Sequence, residues 1–418
     1  MTKSNISTIF KDRRLLEVFI LGIFSGLPLS VLFNTIPAWL SDVNVGLELI
    51  TTFAVARLSY SLKPFWAPAV DYFRVPGLHM LGRRRSWLIV CAVAISLILF
   101  AMGRQEPGQL LSPLYFLAIA LGFFSASYDI VFDGFRVEKF EPAEQGLAAV
   151  SVTYGYRIGI IIASAGALSL AHFTESWPLT FTVLSLIYAS SILFIILARE
   201  EEIEREKVDS FSLNAIIRLI INPFKDFLKR DGAILILSTV ILFKLGDAFL
   251  GIVSMPFYFE LGFSKLQIGG IVKGWGLGAT LLGTAAGGFF VYRLGVFKAL
   301  IITGVIQSVN NLVFVWLHHQ GADLVALAIA IFVENFGGAM GSAAMVAYLS
   351  MLCNKKYSAT QYALFASLSS LVNNTIVTKG GTLVRYLGWD MYFSLTVLLG
   401  LPAILLLIYL NARFKESS

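Results

Sequence analysis

The chain carries little charge for its length, which argues against a soluble globular protein. Only 14% of its 418 residues are Asp, Glu, Lys or Arg and 57% are hydrophobic, whereas an average soluble domain has about 25% charged residues. Its two cysteines, Cys91 and Cys353, lack the paired spacing of a disulfide framework or a metal motif. The chain also lacks a paired-His metal motif and a clustered nucleophile set. We therefore predict no cofactor, no metal site and no enzyme activity.

Long apolar runs are what the chain has instead. They repeatedly exceed the roughly 20 residues that a helix needs to cross a bilayer, and the alternation typical of membrane strands is absent. This pattern predicts an all-α polytopic membrane protein with about twelve transmembrane helices. The first run is too long for a signal-peptide core and is predicted to be an uncleaved helix. The predicted spans, numbered 1 to 12, are residues 15–40, 49–70, 86–103, 113–135, 147–171, 178–198, 232–259, 268–291, 299–317, 324–352, 362–385 and 391–410.

Basic residues are distributed unequally over the segments that join these spans. With both termini on the cytoplasmic side, 23 Lys and Arg residues fall inside and three, Arg104, Lys265 and Arg385, fall outside. Cytoplasmic loops are enriched in Lys and Arg, so the orientation is predicted with both termini inside. The net charge of +6 is therefore interpreted as a topology signal and not as a nucleic-acid surface.

Residues 199–231 interrupt the series of apolar spans and therefore indicate a domain boundary. Their second half spaces its apolar residues as an amphipathic helix does, bent near Pro223 and lying on the inner membrane surface. We therefore predict an N-terminal six-helix bundle over 1–198, a cytoplasmic linker over 199–231, and a C-terminal six-helix bundle over 232–418. Similar short stretches recur in the two bundles, which suggests a duplicated architecture with a binding site between the repeats.

The loop after span 2 reads AVDYFRVPGLHMLGRRRSW and resembles the gate motif of the major facilitator superfamily. Asp71, Gly82, Arg83 and Arg84 match the elements of that motif, although the insert VPGLHML stretches its spacing. An Asp at one helix end and an Arg on the next can pair in one conformation and separate in another. The alternative is that these arginines only enforce topology.

Several polar patterns recur along nearly the whole chain, namely GIFSGLPLS, LKPFWAPAVD, LGRRRSWL, FSASYDIVFDGFR, GYRIG, FKLGDAF, ENFGGAMGSAA and CNKKYSATQYALF. Together these stretches resemble one family, the AmpG-type muropeptide permeases. The resemblance implies proton-linked import of anhydro-muropeptides, which are anionic glycopeptides, across a bacterial inner membrane during cell-wall recycling. VNNTIVTKGG (372–381) matches the family least well, so a changed substrate would first show in spans 11 and 12.

Span 4 carries two carboxylates one helical turn apart, Asp129 and Asp133. A carboxylate in hydrocarbon is costly and marks a functional site by default. Burial favours the protonated form of the group, so such an acid can hold or release a proton according to which side water enters. We predict proton coupling at Asp129 and gate pairing at Asp133, together with Arg136. The alternative for Asp129 is a static ion pair with Arg157 or Arg136.

Spans 7 and 10 carry the remaining intramembrane acids. Lys244 and Asp247 are spaced to pair within one helix, while Glu334 has no cation within four residues. In the superfamily's fold, spans 1, 4, 7 and 10 line the central cavity, and the acids fall on three of these four. Glu334 and Asp247 are therefore predicted to join Asp129 in proton coupling.

Cations outnumber anions within the spans. Four acids stand against six basic residues, Arg57, Lys63, Arg157, Lys244, Lys273 and Lys379, which leaves a net charge of +2 and favours an anionic solute. We predict that Arg57, Arg157, Lys244 and Lys273 contact it, while Lys63 and Lys379 could instead extend to an interface. Glycine-rich faces at 274–288 and 337–344 fit close helix packing. His318 and His319, at the outer end of span 9, are interpreted as interfacial polar residues.

Two alternatives remain at this point. Acetyl-coenzyme A transporters resemble the same family, so the cargo could differ while the mechanism stays the same. A non-transporting membrane assembly factor would show no dependence on an ion gradient.

Overall fold

The computed structural model describes residues 12–107, 111–201, 203 and 213–416, and these residues form helices without any strand. Ten of the helices in these ranges are long and apolar enough to cross a membrane. Numbered along the chain, the helices are α1 (Arg13–Asp42), α2 (Leu47–Thr52), α3 (Leu58–Leu62), α4 (Ala67–Tyr72), α5 (Arg83–Met102), α6 (Ser112–Lys139), α7 (Gln145–Thr174), α8 (Trp177–Leu197), α9 (Leu213–Leu228), α10 (Ala233–Glu260), α11 (Leu266–Leu294), α12 (Val296–Gln320), α13 (Leu324–Leu352), α14 (Ser358–Ile376) and α15 (Gly380–Glu416).

The two other predicted spans, 2 and 11, are also helical, but span 2 is broken into short helices and span 11 is less apolar than the rest. Span 2 is divided into α2, α3 and α4 by the 3₁₀ turns Phe53–Arg57 and Lys63–Phe65. Pro64 and Pro68 lie at the starts of the second turn and of α4, where a missing N–H does no harm but a continuous helix could not pass. Span 11 corresponds to α14, which is rich in Ser, Thr, Gln and Asn and therefore less apolar than the others.

Glycines allow α1 and α7 to pack with their backbones in contact. A Cβ added to Gly26 would lie 2.2 Å from the carbonyl oxygen of Tyr156, and one added to Gly159 would lie 2.0 Å from that of Ile23. Small residues spaced by four produce such contacts in membranes. Close backbone packing matters there because the hydrophobic effect does not drive helices together in lipid. The close packing explains two of the family-like stretches, GIFSGLPLS and GYRIG.

The same two helices each contain a π turn, Val31–Thr35 in α1 and Ile162–Gly166 in α7. The hydroxyl of Thr35 donates to the backbone carbonyl of Ala163, so the two turns meet. π turns widen a helix locally and occur often at functional sites.

The glycine-rich faces of α11 and α13 also pack closely, as predicted. A Cβ on Gly283 would lie 2.1 Å from the carbonyl oxygen of Phe336, and one on Gly287 would lie 2.5 Å from that of Met340.

The chain folds as two compact units. The first comprises Met1–Glu141, Ser151–Phe224 and Cys353–Ser367, and the second Pro142–Val150, Lys225–Leu352 and Leu368–Ser418. The predicted boundaries at 198 and 232 stay a prediction. Helix α9 lies where the linker was expected to be helical, with Pro223 inside it, and its placement on a membrane surface stays a prediction as well.

Candidate functional site

The gate motif of the first unit forms a buried ionic network. The Arg84 side chain is 1% exposed, and its Nη2 lies 2.6 Å from Oδ1 of Asp71, which is fully buried. The same nitrogen also contacts Oε1 of Glu138. One guanidinium therefore faces two carboxylates, which leaves the trio one negative charge in excess.

The start of α14 supplies further hydrogen bonds to this network. The amide and the hydroxyl of Thr360 donate to Oδ2 of Asp71 at 2.8 and 2.6 Å, and the hydroxyl of Ser358 donates to Glu138. Amides at a helix N-terminus carry partial positive charge and favour an anion there. The helix end thus stabilises the carboxylates that Arg84 alone does not neutralise.

Gly82 and Glu200 position the basic start of α5. Gly82 has φ 96° and ψ 168°, a left-handed region that suits glycine. The carboxylate of Glu200 accepts hydrogen bonds from the amides of Arg84 and Arg85 at 2.8 and 3.1 Å and so caps the helix. Arg83 donates to the backbone carbonyl of Asp71 at 2.9 Å.

The matching glycine of the second unit has a similar backbone. Gly295, between α11 and α12, has φ 80° and ψ 163°. Gly295 therefore has a backbone conformation similar to that of Gly82, as the inferred repeat predicts. Arg293 lies over the ring of Phe289, and no ion pair of Arg293 with an acid is found among the described residues.

Asp133 and Arg136 form another ionic contact of the first unit. Nη2 of Arg136 lies 3.5 Å from Oδ1 of Asp133, and the guanidinium carbon lies 4.9 Å from the centre of the Tyr362 ring. Asp133, which was predicted to pair at the gate, therefore contacts Arg136 on its own helix. Arg136 in turn contacts Tyr362 of α14.

Asp129 has different neighbours from those predicted. Its Oδ1 accepts a hydrogen bond of 2.6 Å from the hydroxyl of Ser25 on α1. Lys63, which is buried and does not extend to an interface, interacts electrostatically with both Asp129 and Asp133. Asp129 keeps a partly exposed surface. The tyrosines Tyr60 and Tyr156 also lie within electrostatic range of it.

Lys244 organises the acids of the second unit. It lies at a break in α10, where its φ and ψ of −101° and 2° depart from the helix. Its Nζ donates to Oδ2 of Asp247 at 3.1 Å, to Oε1 of Gln307 at 3.0 Å and to the carbonyl of Gly338 at 2.9 Å. The amide of Gln307 donates in turn to the carbonyl of Phe243. The broken helix is thus tied to α12 and α13.

Glu334 on α13 belongs to the same group. It interacts electrostatically with Asp247 and Lys244, and its Oε2 accepts a hydrogen bond of 2.8 Å from Asn335. Glu334 and Asp247 are both partly exposed. Two carboxylates therefore share one ammonium, and we call Lys244, Asp247 and Glu334 the lysine–acid triad.

The predicted substrate cations are only partly placed. The side chains of Arg57 and Lys273 lie outside what the structure describes. Arg157 is partly exposed on α7, and its Nε is buried without a hydrogen-bond partner among the described residues. Among the described residues no contact joins Arg157 to Asp129, so the static pair of Asp129 with Arg157 is not found.

Several residues of these networks were not singled out by the sequence. Glu138 could have been noticed as an acid in the basic inner end of span 4. Ser25, Ser358 and Thr360 lie in stretches that resemble the family, but neither these residues nor Gln307 could be assigned a partner from the sequence, because each partner lies far away along the chain.

Comparison with known proteins shows which family this chain resembles. Residues 18–373 match the Major Facilitator Superfamily. A protein of Rickettsia felis named "Putative transporter AmpG 4" is 52% identical over 409 residues, which are 98% of this chain and 99% of that protein. The anhydromuropeptide permease of Escherichia coli K12 is 33% identical over 402 residues, 96% of this chain and 80% of that permease.

Solved structures agree on the fold. The human organic anion transporter MFSD10 (TETRAN) aligns with a TM-score of 0.67 at 15% identity, covering 94% of this chain and 99% of that one. At this identity the likeness establishes the fold alone.

Proposed function

The chain belongs to the major facilitator superfamily and, within it, to the AmpG-type permeases, and from this premise we propose that it imports anhydro-muropeptides together with protons. The cargo is proposed from the Escherichia coli relative, whose printed name is anhydromuropeptide permease. These relatives do not favour the alternatives of an acetyl-coenzyme A transporter or a non-transporting assembly factor. We propose that the cargo crosses without chemical conversion, across a bacterial inner membrane, with both termini in the cytoplasm.

Proton coupling rests on the charge balance of the lysine–acid triad. The two carboxylates of Asp247 and Glu334 interact with one ammonium, that of Lys244. One carboxylate of the triad is therefore uncompensated, which is costly inside a membrane. Binding one proton makes the triad neutral, and losing that proton restores its negative charge. Glu334 is the proposed carrier, because Lys244 already donates directly to Asp247. Asp129 is the corresponding proposed carrier of the first unit.

Cation placement supports an anionic cargo. Lys244 and Arg157 are both partly exposed. The Nε of Arg157 has no hydrogen-bond partner among the described residues, so a peptide carboxylate of a muropeptide would pair with it. Lys244 would exchange one of its three hydrogen bonds for such a contact. We propose contacts from Arg57 and Lys273 on the earlier sequence grounds alone.

We propose that the network around Asp71 and Arg84 acts as the inner gate. It joins α4, α5 and α6 to the start of α14 through polar contacts. Such contacts can exchange for water when the segment moves, whereas a dry apolar contact could not. Arg83, Asp133 and Arg136 are the proposed supporting members.

Uptake of labelled anhydro-muropeptide into proteoliposomes tests the proposal. We expect accumulation against a gradient only when the outside is more acidic than the inside. Glu334→Gln should abolish accumulation while still allowing exchange of labelled for unlabelled cargo, because exchange needs no net proton movement. Glu175→Gln, an exposed residue between α7 and α8, is the matched control and should behave as wild type.

Two results would overturn parts of the proposal separately. Uptake that does not depend on the proton gradient would reject proton coupling but would not contradict the proposed identity of the cargo. Absence of both uptake and exchange in the folded wild-type protein would reject the cargo.

A further inference from the structure

The second unit carries a cluster of potential metal ligands that the transport proposal does not use. It consists of His318 and His319 in the last turn of α12 and Asp390 in α15. Nδ1 of His318 lies 2.7 Å from one oxygen of Asp390, and Nε2 of His319 lies 3.1 Å from the other. One ligand atom from each residue falls within 4.8 Å of the other two.

We propose that these three residues bind one divalent transition-metal ion, with Zn²⁺ the expected occupant. Imidazole nitrogen and carboxylate oxygen are preferred zinc ligands, and three such ligands with open positions for water are a common arrangement. A set of two histidines and one carboxylate also suits other first-row metals. The class of ion is therefore constrained by the ligands, while the hard cations Ca²⁺ and Mg²⁺, which prefer oxygen ligands, are disfavoured.

Contacts around the cluster hold the ligands in place. The His318 ring packs 6.1 Å from the ring of Phe257, which lies 4.9 Å from that of Trp389. The indole of Trp389 donates to Glu260 at 2.9 Å, so the residue beside Asp390 is anchored on two sides. Ligands oriented by such outer contacts bind metal more tightly than free side chains do.

The backbone also favours a cation here. The two histidines occupy the C-terminal turn of α12, where the carbonyls carry partial negative charge. Asp390 follows Gly388, whose φ of 72° kinks α15 and directs the following residues. The ligands thus come from two helices, and an ion would fasten the end of α12 to α15.

Adjacent histidines make a simple interfacial role a weaker explanation. Residues at i and i+1 project in different directions on a helix, yet both rings reach the same carboxylate. Their exposed fractions, 33% for His318 and 64% for His319, leave the cluster open to ions in the surrounding water. The inference does not depend on which solute the protein carries.

Metal binding by the tag-free, full-length protein in detergent tests the proposal. Co²⁺ serves as the spectroscopic probe, because its visible absorption reports nitrogen and oxygen ligation, and Zn²⁺ is titrated in competition. We expect one ion per chain and a rise in melting temperature with Zn²⁺. His319→Gln and Asp390→Asn should each weaken binding at least tenfold and remove the rise.

His172→Gln, an exposed histidine in the first unit, is the matched control and should bind as wild type. His319→Gln alters the most exposed ligand, so it is the variant least able to disturb folding. Equal Co²⁺ spectra and equal Zn²⁺ affinity for wild type and His319→Gln would overturn the proposal. So would binding that is lost only in His172→Gln.

Discussion

Arg84 is the residue whose contacts dominate the inner network. Arg84→Gln would remove the guanidinium that faces the buried carboxylates of both Asp71 and Glu138. Breaking a buried ion pair by removing one partner costs about 3–5 kcal/mol, because the other charge stays buried. We expect a large drop in the melting temperature of the purified protein.

A double variant separates charge from packing at this position. Arg84→Gln/Glu138→Gln removes one carboxylate as well and should recover part of the lost stability. Arg413→Gln, which breaks the exposed pair with Asp231 at 2.7 Å, should leave the melting temperature unchanged. Equal melting temperatures for Arg84→Gln and wild type would show that the network contributes nothing to stability.

Lys244 is the residue on which the triad depends. Lys244→Gln would leave Asp247 and Glu334 without their shared ammonium, so both would tend to be protonated and unable to cycle. We expect uptake to fall at least tenfold, which corresponds to about 1.4 kcal/mol.

Lys244→Gln/Asp247→Asn provides the comparison for that variant. It removes one charge of each sign, so the protein should fold as stably as wild type but transport poorly. If Lys244→Gln transports at the wild-type rate, the triad has no role in coupling.

Helix packing through glycine gives a prediction at the scale of elements. Gly159→Ala would place a Cβ 2.0 Å from the carbonyl of Ile23 and force α7 away from α1. Overpacking of this kind typically costs 1–3 kcal/mol, which exceeds the gain of about 1 kcal/mol that alanine brings to a helix interior. The variant should therefore melt at a lower temperature.

Gly251→Ala in α10 is the matched substitution with the opposite expected sign. No heavy atom lies within 4 Å of a Cβ built there, so only the helix-propensity gain remains. A higher melting temperature for Gly251→Ala and a lower one for Gly159→Ala are expected. The reverse order would mean that the α1–α7 contact is looser than described.

Element prediction from the sequence works where the bilayer imposes a simple rule. Ten long helices follow from apolar runs, because a spanning segment must satisfy its own backbone hydrogen bonds. The breaks in span 2 and the π turns of α1 and α7 were not predicted. A π turn depends on tertiary contacts such as that between Thr35 and Ala163, which are distant in the sequence.

The site could likewise be predicted where its contacts are local in the sequence, and not where they join distant residues. The pairing of Lys244 with Asp247 could be inferred, because three residues separate them on one helix. The contact of Asp129 with Ser25 spans 104 residues, and the partner of His318 lies 72 residues away. Composition can identify costly charges in an apolar span, but only the fold determines which groups neutralise them.

Orientation in the membrane is a property of the whole molecule and yields the last prediction. The proposed topology puts 23 basic residues inside and three outside, and each Lys or Arg that crosses during insertion opposes the membrane's preference for inside positive charge. A single cysteine at the exposed turn between α7 and α8, Glu175→Cys in a Cys91→Ala/Cys353→Ser background, should react with a membrane-impermeant maleimide in spheroplasts. Lys355→Cys, between α13 and α14, should react only in inverted vesicles. Labelling of Lys355→Cys in intact spheroplasts would reverse the orientation and require cargo and protons to enter from the opposite face.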